Sequence, residues 1–454
     1  MSRRVLVVGG GLAGITAALR CADAGCSVTL LETRARLGGA AGSFLRGELS
    51  VDTGQHVFLR CYRGYAELLR RIGVLDRVRV QPRFRVPVLS PSAAPAVLRR
   101  WDLPAPAHVA PALLGHPGLT LPQRIRAART GMRLRELDPA DPALDRISFG
   151  DWLREQRESP RSARVLWGLL SVAALNAEPD ESSLALAAEV FRTGLLDAPD
   201  SGDIGVPVRP LGEIHGTAAH RALEDAGVQV LLRTKARAVR RTSAGWQVPI
   251  TGRDGDDVLD ADGVVVAVPH QQAEALLADV PVPGSAQWPR LSAAPIVNVH
   301  VVYDRPVLRE PFAAVLDSPL QWLFDRTGPS GLARGQYLAI SLSAAQQYVE
   351  QRTTDLRALF LPALREVLPA AREARVRDFF VTREPRATFA QTPGTAGLRP
   401  PAETGMPGLA LAGAWTATGL PDTLEGAVRS GADAARAVRT TFDRARPAGV
   451  EVIR

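Results

Sequence analysis

The chain has 454 residues, 46% of them hydrophobic, and a formal net charge of +8; that length and apolar content call for a globular protein of two closely packed domains. The charge comes almost wholly from arginines spread along the chain, Lys235 being the only lysine, which argues against a nucleic-acid partner and leaves open a basic face toward anionic lipid. Cys21, Cys26 and Cys61 are too few and wrongly spaced for a metal site or a disulfide framework, so they read as free thiols in a reducing cytoplasm with no metal; no apolar run has transmembrane length and no signal peptide is read before the first strand.

Taken in order, Val5-Leu6-Val7-Val8 reads as a buried parallel strand. The turn after it carries Gly9, Gly11 and Gly14 in a G-x-G-x-x-G pattern around Leu12 and Ala13, before a helix over Ile15–Ala24. Gly9 permits the tight turn, Gly11 lets backbone amides approach a pyrophosphate, and Gly14 lets the helix lie close to the sheet. Ser27–Leu31 forms a second strand ending at Glu32, at ribose-binding distance. Where an NAD fold would continue to its next helix, Thr33-Arg34-Ala35-Arg36-Leu37-Gly38-Gly39 forms a basic loop with a glycine pair. Gly42–Phe44 and Leu49–Val51 alternate as a strand pair leading to Asp52-Thr53-Gly54-Gln55-His56, and Tyr62–Ile72 has helical spacing closed by Gly73.

Prolines crowd 82–122, helical patterns occupy 123–137 and 148–198, and no strand of the doubly wound type is expected between 81 and 203. Within that insert Trp167–Asn176 is an apolar helix with almost no charge, equally readable as buried structure or as the wall of a substrate tunnel. Nucleotide-type sequence resumes near Pro207. A helix from Pro210 to Gly227, strands at Val228–Leu232, Ala238–Arg241, Gly245–Val248 and Asp262–Pro269, and the Thr234-Lys235-Ala236 turn follow. Ile296–Tyr303 and Tyr337–Ser343 read as antiparallel partners before a helix over 344–368. Leu409–Trp415 is a last buried strand, Thr416–Pro421 a turn, and Leu424–Gly431 the start of a closing helix.

The E-x-R-x-x-x-G-G loop at 32–39 resembles that of the flavin amine oxidase and phytoene desaturase superfamily, and the resemblance spans nearly the whole chain. It implies an α/β fold: a Rossmann-like FAD-binding domain of the glutathione reductase type interleaved with an α+β substrate domain. The FAD-binding parts are expected at 1–80, 206–281 and 384–454, a helical substrate cap at 81–205 and the second substrate part at 282–383. The resemblance further implies that Thr33, Arg34, Gly38, Gly39 and Ala40 wrap the pyrophosphate and ribityl chain, and that Gly54 passes beside the isoalloxazine with Gln55 and His56 close to it. It also implies that Ala236 holds the adenine through its backbone, that Gly413 and Ala414 lie along the ribityl chain, and that the Leu424 amide faces the pyrimidine edge. Ala40 and Ala414 depart from the usual Arg and acidic residue, each lost contact weakening binding by roughly 0.5–1.5 kcal/mol.

More narrowly, Gly54–Leu59, Ala174–Asn176 and the segment Trp415–Pro421 with Leu424–Val428 resemble the squalene-associated FAD-dependent desaturases, which act as hydroxysqualene dehydroxylases in bacterial squalene and hopanoid synthesis. That implies an apolar triterpenoid substrate and reductive removal of its hydroxyl by reduced FAD, with His56 as candidate proton donor and Gln55 orienting it. A carotenoid-type desaturase or amine oxidase, and a non-enzymatic flavoprotein scaffold, stand as alternatives. A cytoplasmic location is expected; contact with the inner membrane face and with other squalene-pathway enzymes stays open, because no single amphipathic segment stands out as an anchor.

Overall fold

In the computed structural model, which describes residues 2–253 and 255–444, five strands make one parallel sheet. Their order is Gln229–Leu232, Ser27–Glu32, Arg4–Val8, Gly263–Val266 and Leu409–Leu411. The central strands are near-continuous Val and Leu runs because both faces are covered. Helices Leu12–Asp23 and Leu424–Arg444 share one apolar cluster with Val5, Val7 and Val265. On the other face an antiparallel sheet within 235–261 packs Trp246, Val248 and Ile250 against Leu6, Val8 and Val264. The two helices cross closely: a Cβ on Gly431 would lie 2.2 Å from the Ala13 carbonyl oxygen.

The second sheet has seven strands, in the order Val376–Phe389, Ala293–Tyr303, Gln336–Leu342, Trp322–Asp325, Phe312–Val315, Arg85–Leu89 and Ala96–Arg99. Ala293–Tyr303 pairs antiparallel with Gln336–Leu342, as the alternation predicts. Val297, Val299, Val301 and Tyr303 pack under helix Thr353–Val367 through Leu356, Phe360 and Leu364. The intervening residues face the nucleotide half, where Val302, Tyr337, Ala339 and Phe380 close on Val51.

Several expectations need correction. The 81–205 insert is not only helical: its proline-rich part supplies two strands to the substrate sheet, Val86 and Val88 pointing inward with Leu98. They escape notice because they are short, lie at the sheet edge where proline is tolerated, and gain their partner, Phe312–Val315, from far along the chain. The helix expected over 344–368 is two helices, Gln346–Val349 and Thr353–Val367. Strand Gly255–Ala261 was not anticipated, since its surface is mostly exposed and carries no apolar alternation. The boundaries read at 205 and 383 fall inside strands Ile204–Pro207 and Val376–Phe389, and residues 445–454 of the last expected segment lie outside the described residues.

Two buried ion pairs join the halves. Arg326 of the substrate sheet reaches Asp52 of strand Leu49–Asp52 and donates to the Pro207 carbonyl. Asp203, with no exposed surface, accepts from Arg100 Nε at 2.7 Å, Arg60 Nε at 3.0 Å and the Phe84 amide at 2.6 Å. Asp203→Ala strands the buried Arg100 guanidinium, so a stability loss of about 3–5 kcal/mol is expected. A lowered urea midpoint for the wild-type-length variant checks it.

Candidate active site

The first strand ends at Gly9 with φ +110°. Only glycine fits there, because a Cβ would lie 2.3 Å from the Ala267 carbonyl oxygen; one on Gly14 would lie 1.8 Å from that of Gly9. Gly11 is different. Its φ of −77° suits any residue, and its Cβ would meet nothing nearer than Gly39 Cα at 4.0 Å. The open space before it is bordered by the start of helix Leu12–Asp23, whose first residues Leu12 and Ala13 are buried and whose first turn holds neither a side-chain cap nor an acidic residue. Free amides and an uncompensated helix dipole make that space an anion site.

Glu32 closes the loop from the other side. Its Oε2 accepts from the Gly10 amide at 2.8 Å and its Oε1 from the Arg34 amide at 2.7 Å, while exposed Thr33 turns the chain. Gly38 donates to the Gly10 carbonyl at 2.9 Å, and a Cβ on Gly39 would come within 3.0 Å of Gly11 Cα, so the two glycine loops are in contact. Arg34 donates to the Gly39 carbonyl at 3.1 Å. Arg36 lies over Gly42 with its Nη1 buried and unpartnered, and burial, then the neighbouring Arg34, hold its pKa below the ordinary arginine value. A buried guanidinium N–H without an acceptor, beside a cradle that a Cβ on Gly11 would fill, fits the pyrophosphate of FAD. Ala40 contributes only its carbonyl, which accepts from Thr53 Oγ1 at 2.5 Å; the loop's free guanidinium is that of Arg36, visible in the sequence but not assigned there.

Thr234 donates to the Glu32 carbonyl at 3.0 Å, which brings Lys235–Ala236, paired with Thr251 and Ile250, beside the ribose carboxylate. Gly413, at φ +134°, donates to Ser430 Oγ at 2.8 Å. Ala414 is buried, offers no polar side chain, and has its carbonyl held by Arg399 at 2.9 Å. Thr423 Oγ1 caps the closing helix by accepting from the Gly426 amide at 3.1 Å, and the Leu424 amide finds no acceptor among the described residues. Glu425 turns away and accepts from Gly64 and Tyr65 at 3.1 and 2.8 Å, capping helix Arg63–Arg71. The helix therefore keeps its first amide free for a ligand.

Gln55 and His56 follow Gly54 above this loop. A Cβ on Gly54 would sit 3.2 Å from His56 Nε2, and Gln55 Nε2 is buried without a partner. Burial depresses the His56 pKa more than Asp52 and the Ala40 carbonyl raise it, so the ring is uncharged at neutral pH. Behind it His215 is locked between the Ala41 carbonyl and the Tyr65 hydroxyl, both at 2.8 Å, and burial pushes its pKa down to about 4. That histidine supports the glycine loop: its Cβ would be 3.3 Å from a Cβ on Gly38.

The sequence missed Asp422. Its amide donates to Gln391 Oε1 at 2.9 Å and its Oδ2 accepts from the Phe389 amide at 3.1 Å. Gln391, fully buried, donates in turn to the Leu175 carbonyl at 2.6 Å, so Asp422 sits where the closing helix, the substrate sheet and the cap meet. It is deep but keeps part of its surface open, and burial raises its pKa to about 6. The substrate sheet's inward face carries Asn298, fully buried with both amide atoms unpaired, and His300, bonded to Tyr337 and Thr382 at 2.7 and 2.9 Å. Farther along, Phe312, Phe324 and Trp322 meet Leu166 and Leu169 of the cap. The site thus grades from polar beside the glycine loops to apolar and aromatic under the cap.

The family described as flavin containing amine oxidoreductase matches residues 12–439. A hydroxysqualene dehydroxylase of Rhodopseudomonas palustris is 30% identical over 96% of this chain and 98% of its own. A zeta-carotene desaturase of Synechocystis is 23% identical over 96% and 97%. Among solved structures, cyclohexylamine oxidase from Brevibacterium oxydans overlaps with a TM-score of 0.73 at 19% identity, covering 98% of this chain and all of that one, a likeness of fold.

Proposed function

This chain belongs to the flavin containing amine oxidoreductase family and is an FAD-dependent oxidoreductase; from that premise we propose that it removes the hydroxyl of hydroxysqualene reductively to give squalene. The observation that carries the reading is the full-length similarity to a hydroxysqualene dehydroxylase, and the polar-to-apolar grading of the site agrees with a long hydrocarbon bearing one hydroxyl. Bound and reduced, FAD supplies a hydride. The carbon–oxygen bond breaks, the departing oxygen takes a proton and leaves as water, and the hydride closes a carbon–hydrogen bond.

The chain's own residues have three tasks. The glycine loops, Glu32 and Arg36 bind the cofactor. The cap residues Leu166 and Leu169 with Trp322 and Phe324 exclude water from the allylic cation and offer aromatic faces to it. A proton must reach the leaving oxygen, and Asp422 suits that task better than His56: a carboxyl with a pKa raised to about 6 is a usable acid near neutrality, whereas the His56 ring has already lost its proton.

The similarity to a zeta-carotene desaturase favours a second reading, hydride transfer from a polyene precursor to oxidised FAD. Mixing the reduced holoenzyme with hydroxysqualene under anaerobic conditions separates the two. Squalene formation with return of the oxidised flavin absorbance is expected; no product, together with bleaching of the oxidised enzyme by a polyene precursor, sinks the dehydroxylase.

A further inference from the structure

We infer that the cap docks on an anionic lipid bilayer through the outer face of helix Leu121–Glu136 and the loop beside it. That helix buries Ala127, Thr130, Gly131 and Leu134 against the cap core. Leu121, Ile125, Ala128 and Met132, spaced i, i+4, i+7 and i+11, fall on a second line along the opposite side. Leu121, Ile125 and Met132 are 61%, 49% and 45% exposed. A helix made for water on its outer face has no need of that stripe.

The stripe is part of a larger patch. Of the 13 large apolar side chains exposed among the described residues, seven lie between 97 and 132. Leu114, 58% exposed, ends helix Ala110–Leu114, which touches both Leu121–Glu136 and strand Ala96–Arg99. Trp101 and Leu103 follow that strand, and the Trp101 amide is tied to the His108 carbonyl at 3.0 Å. Trp is the side chain best suited to a headgroup boundary.

Charge selects the partner. Arg126, Arg129 and Arg133 line one flank of the stripe and Arg124 and Arg135 the other, at 100° per residue. Among the described residues only Arg135 of the five has a carboxylate within reach, Asp197 at 3.5 Å. Arg126 and Arg124 spend their donors on the carbonyls of Arg157 and His116, which leaves their charge uncompensated. Two copies meeting through this face would set arginine rims against each other. An anionic bilayer satisfies both features, apolar insertion and a basic border. No helix of the described residues is long and apolar enough to cross a membrane, so the contact is with one face of the bilayer. Leu113 and Leu119, from the same segment, pack inward on the cluster with Phe312 and Phe324, placing the bilayer contact directly over the apolar end of the site. The inference does not depend on which hydrocarbon the enzyme reduces.

The test is co-sedimentation of the full-length FAD-loaded protein with vesicles of phosphatidylcholine, alone or with an equal part of phosphatidylglycerol. Binding at least tenfold tighter to the anionic vesicles is expected. Leu121→Glu with Ile125→Glu should reduce it tenfold or more, while Val258→Glu, at an exposed apolar position of the other domain, leaves it unchanged; retained yellow colour shows that each variant is folded. Arg126→Gln with Arg129→Gln and Arg133→Gln should erase the preference for anionic lipid. Wild-type protein that stays in the supernatant overturns the inference, as does equal binding by the Leu121/Ile125 variant. A wild-type dimer that the same variant turns into a monomer, without vesicle binding by either, assigns the patch to a protein contact instead.

Discussion

Gly11→Val should give a folded protein that purifies without yellow colour. The three glycines of the first loop are there for different reasons. At Gly9 and Gly14 a side chain would strike backbone oxygens at 2.3 and 1.8 Å, so substitution damages the strand–helix packing itself. At Gly11 the backbone is ordinary and the protein leaves room. Nothing in the polypeptide requires glycine there; a bound pyrophosphate does, because its oxygens must reach amides that a valine side chain would cover. Losing one or two hydrogen bonds to a charged group costs about 3 kcal/mol, so FAD affinity should fall roughly 100-fold while the apoprotein's melting temperature stays near the wild-type value. Gly14→Val should not yield soluble protein at all. The check is fluorescence titration of the apoproteins with FAD, and a Gly11→Val protein that keeps wild-type affinity would show that the cofactor lies elsewhere.

That contrast also shows what a sequence reveals. The strand, loop, helix and Glu32 are legible because each is local: an apolar run, glycines at fixed spacing, and a carboxylate at the end of the next strand. The closing helix is legible for the same reason. The substrate half is not, because its order is set by pairing across the chain. Arg85, in one of the overlooked strands, meets Glu310 across 225 positions at 2.9 Å, and a run of five residues among prolines carries no local trace of that. Chemistry obeys the same limit. His56 drew attention as a histidine in a recognisable motif, yet its titration is set by burial together with Asp52, Ala40 and Arg326. Asp422 drew none, since its surroundings are Phe389, Gln391 and Arg399, all brought in by the fold.

The largest catalytic effect is expected at that carboxyl. Asp422→Asn retains the backbone bond to Gln391 and an oxygen for the Phe389 amide, so the helix entrance keeps its geometry, but it has no proton to give. Loss of a positioned general acid lowers kcat by about 10²–10⁴-fold, with little change in KM. The pH profile carries the assignment. Because burial raises the Asp422 pKa to about 6, the active protonated form dominates below that value, and the wild-type rate should fall tenfold per unit above it. Asp422→Asn should be slow and flat over the same range. Stability should move the other way: ionising Asp422 opposes the fold, so the stability tied to its proton is complete below the unfolded carboxyl pKa near 4 and is lost as pH rises through about 6. The asparagine variant, which cannot ionise, should then melt no lower than wild type at pH 8, an outcome that mere structural damage would not give. If His56→Gln removes the pH limb and Asp422→Asn preserves it, the proton comes from the histidine and the carboxyl only shapes the helix entrance.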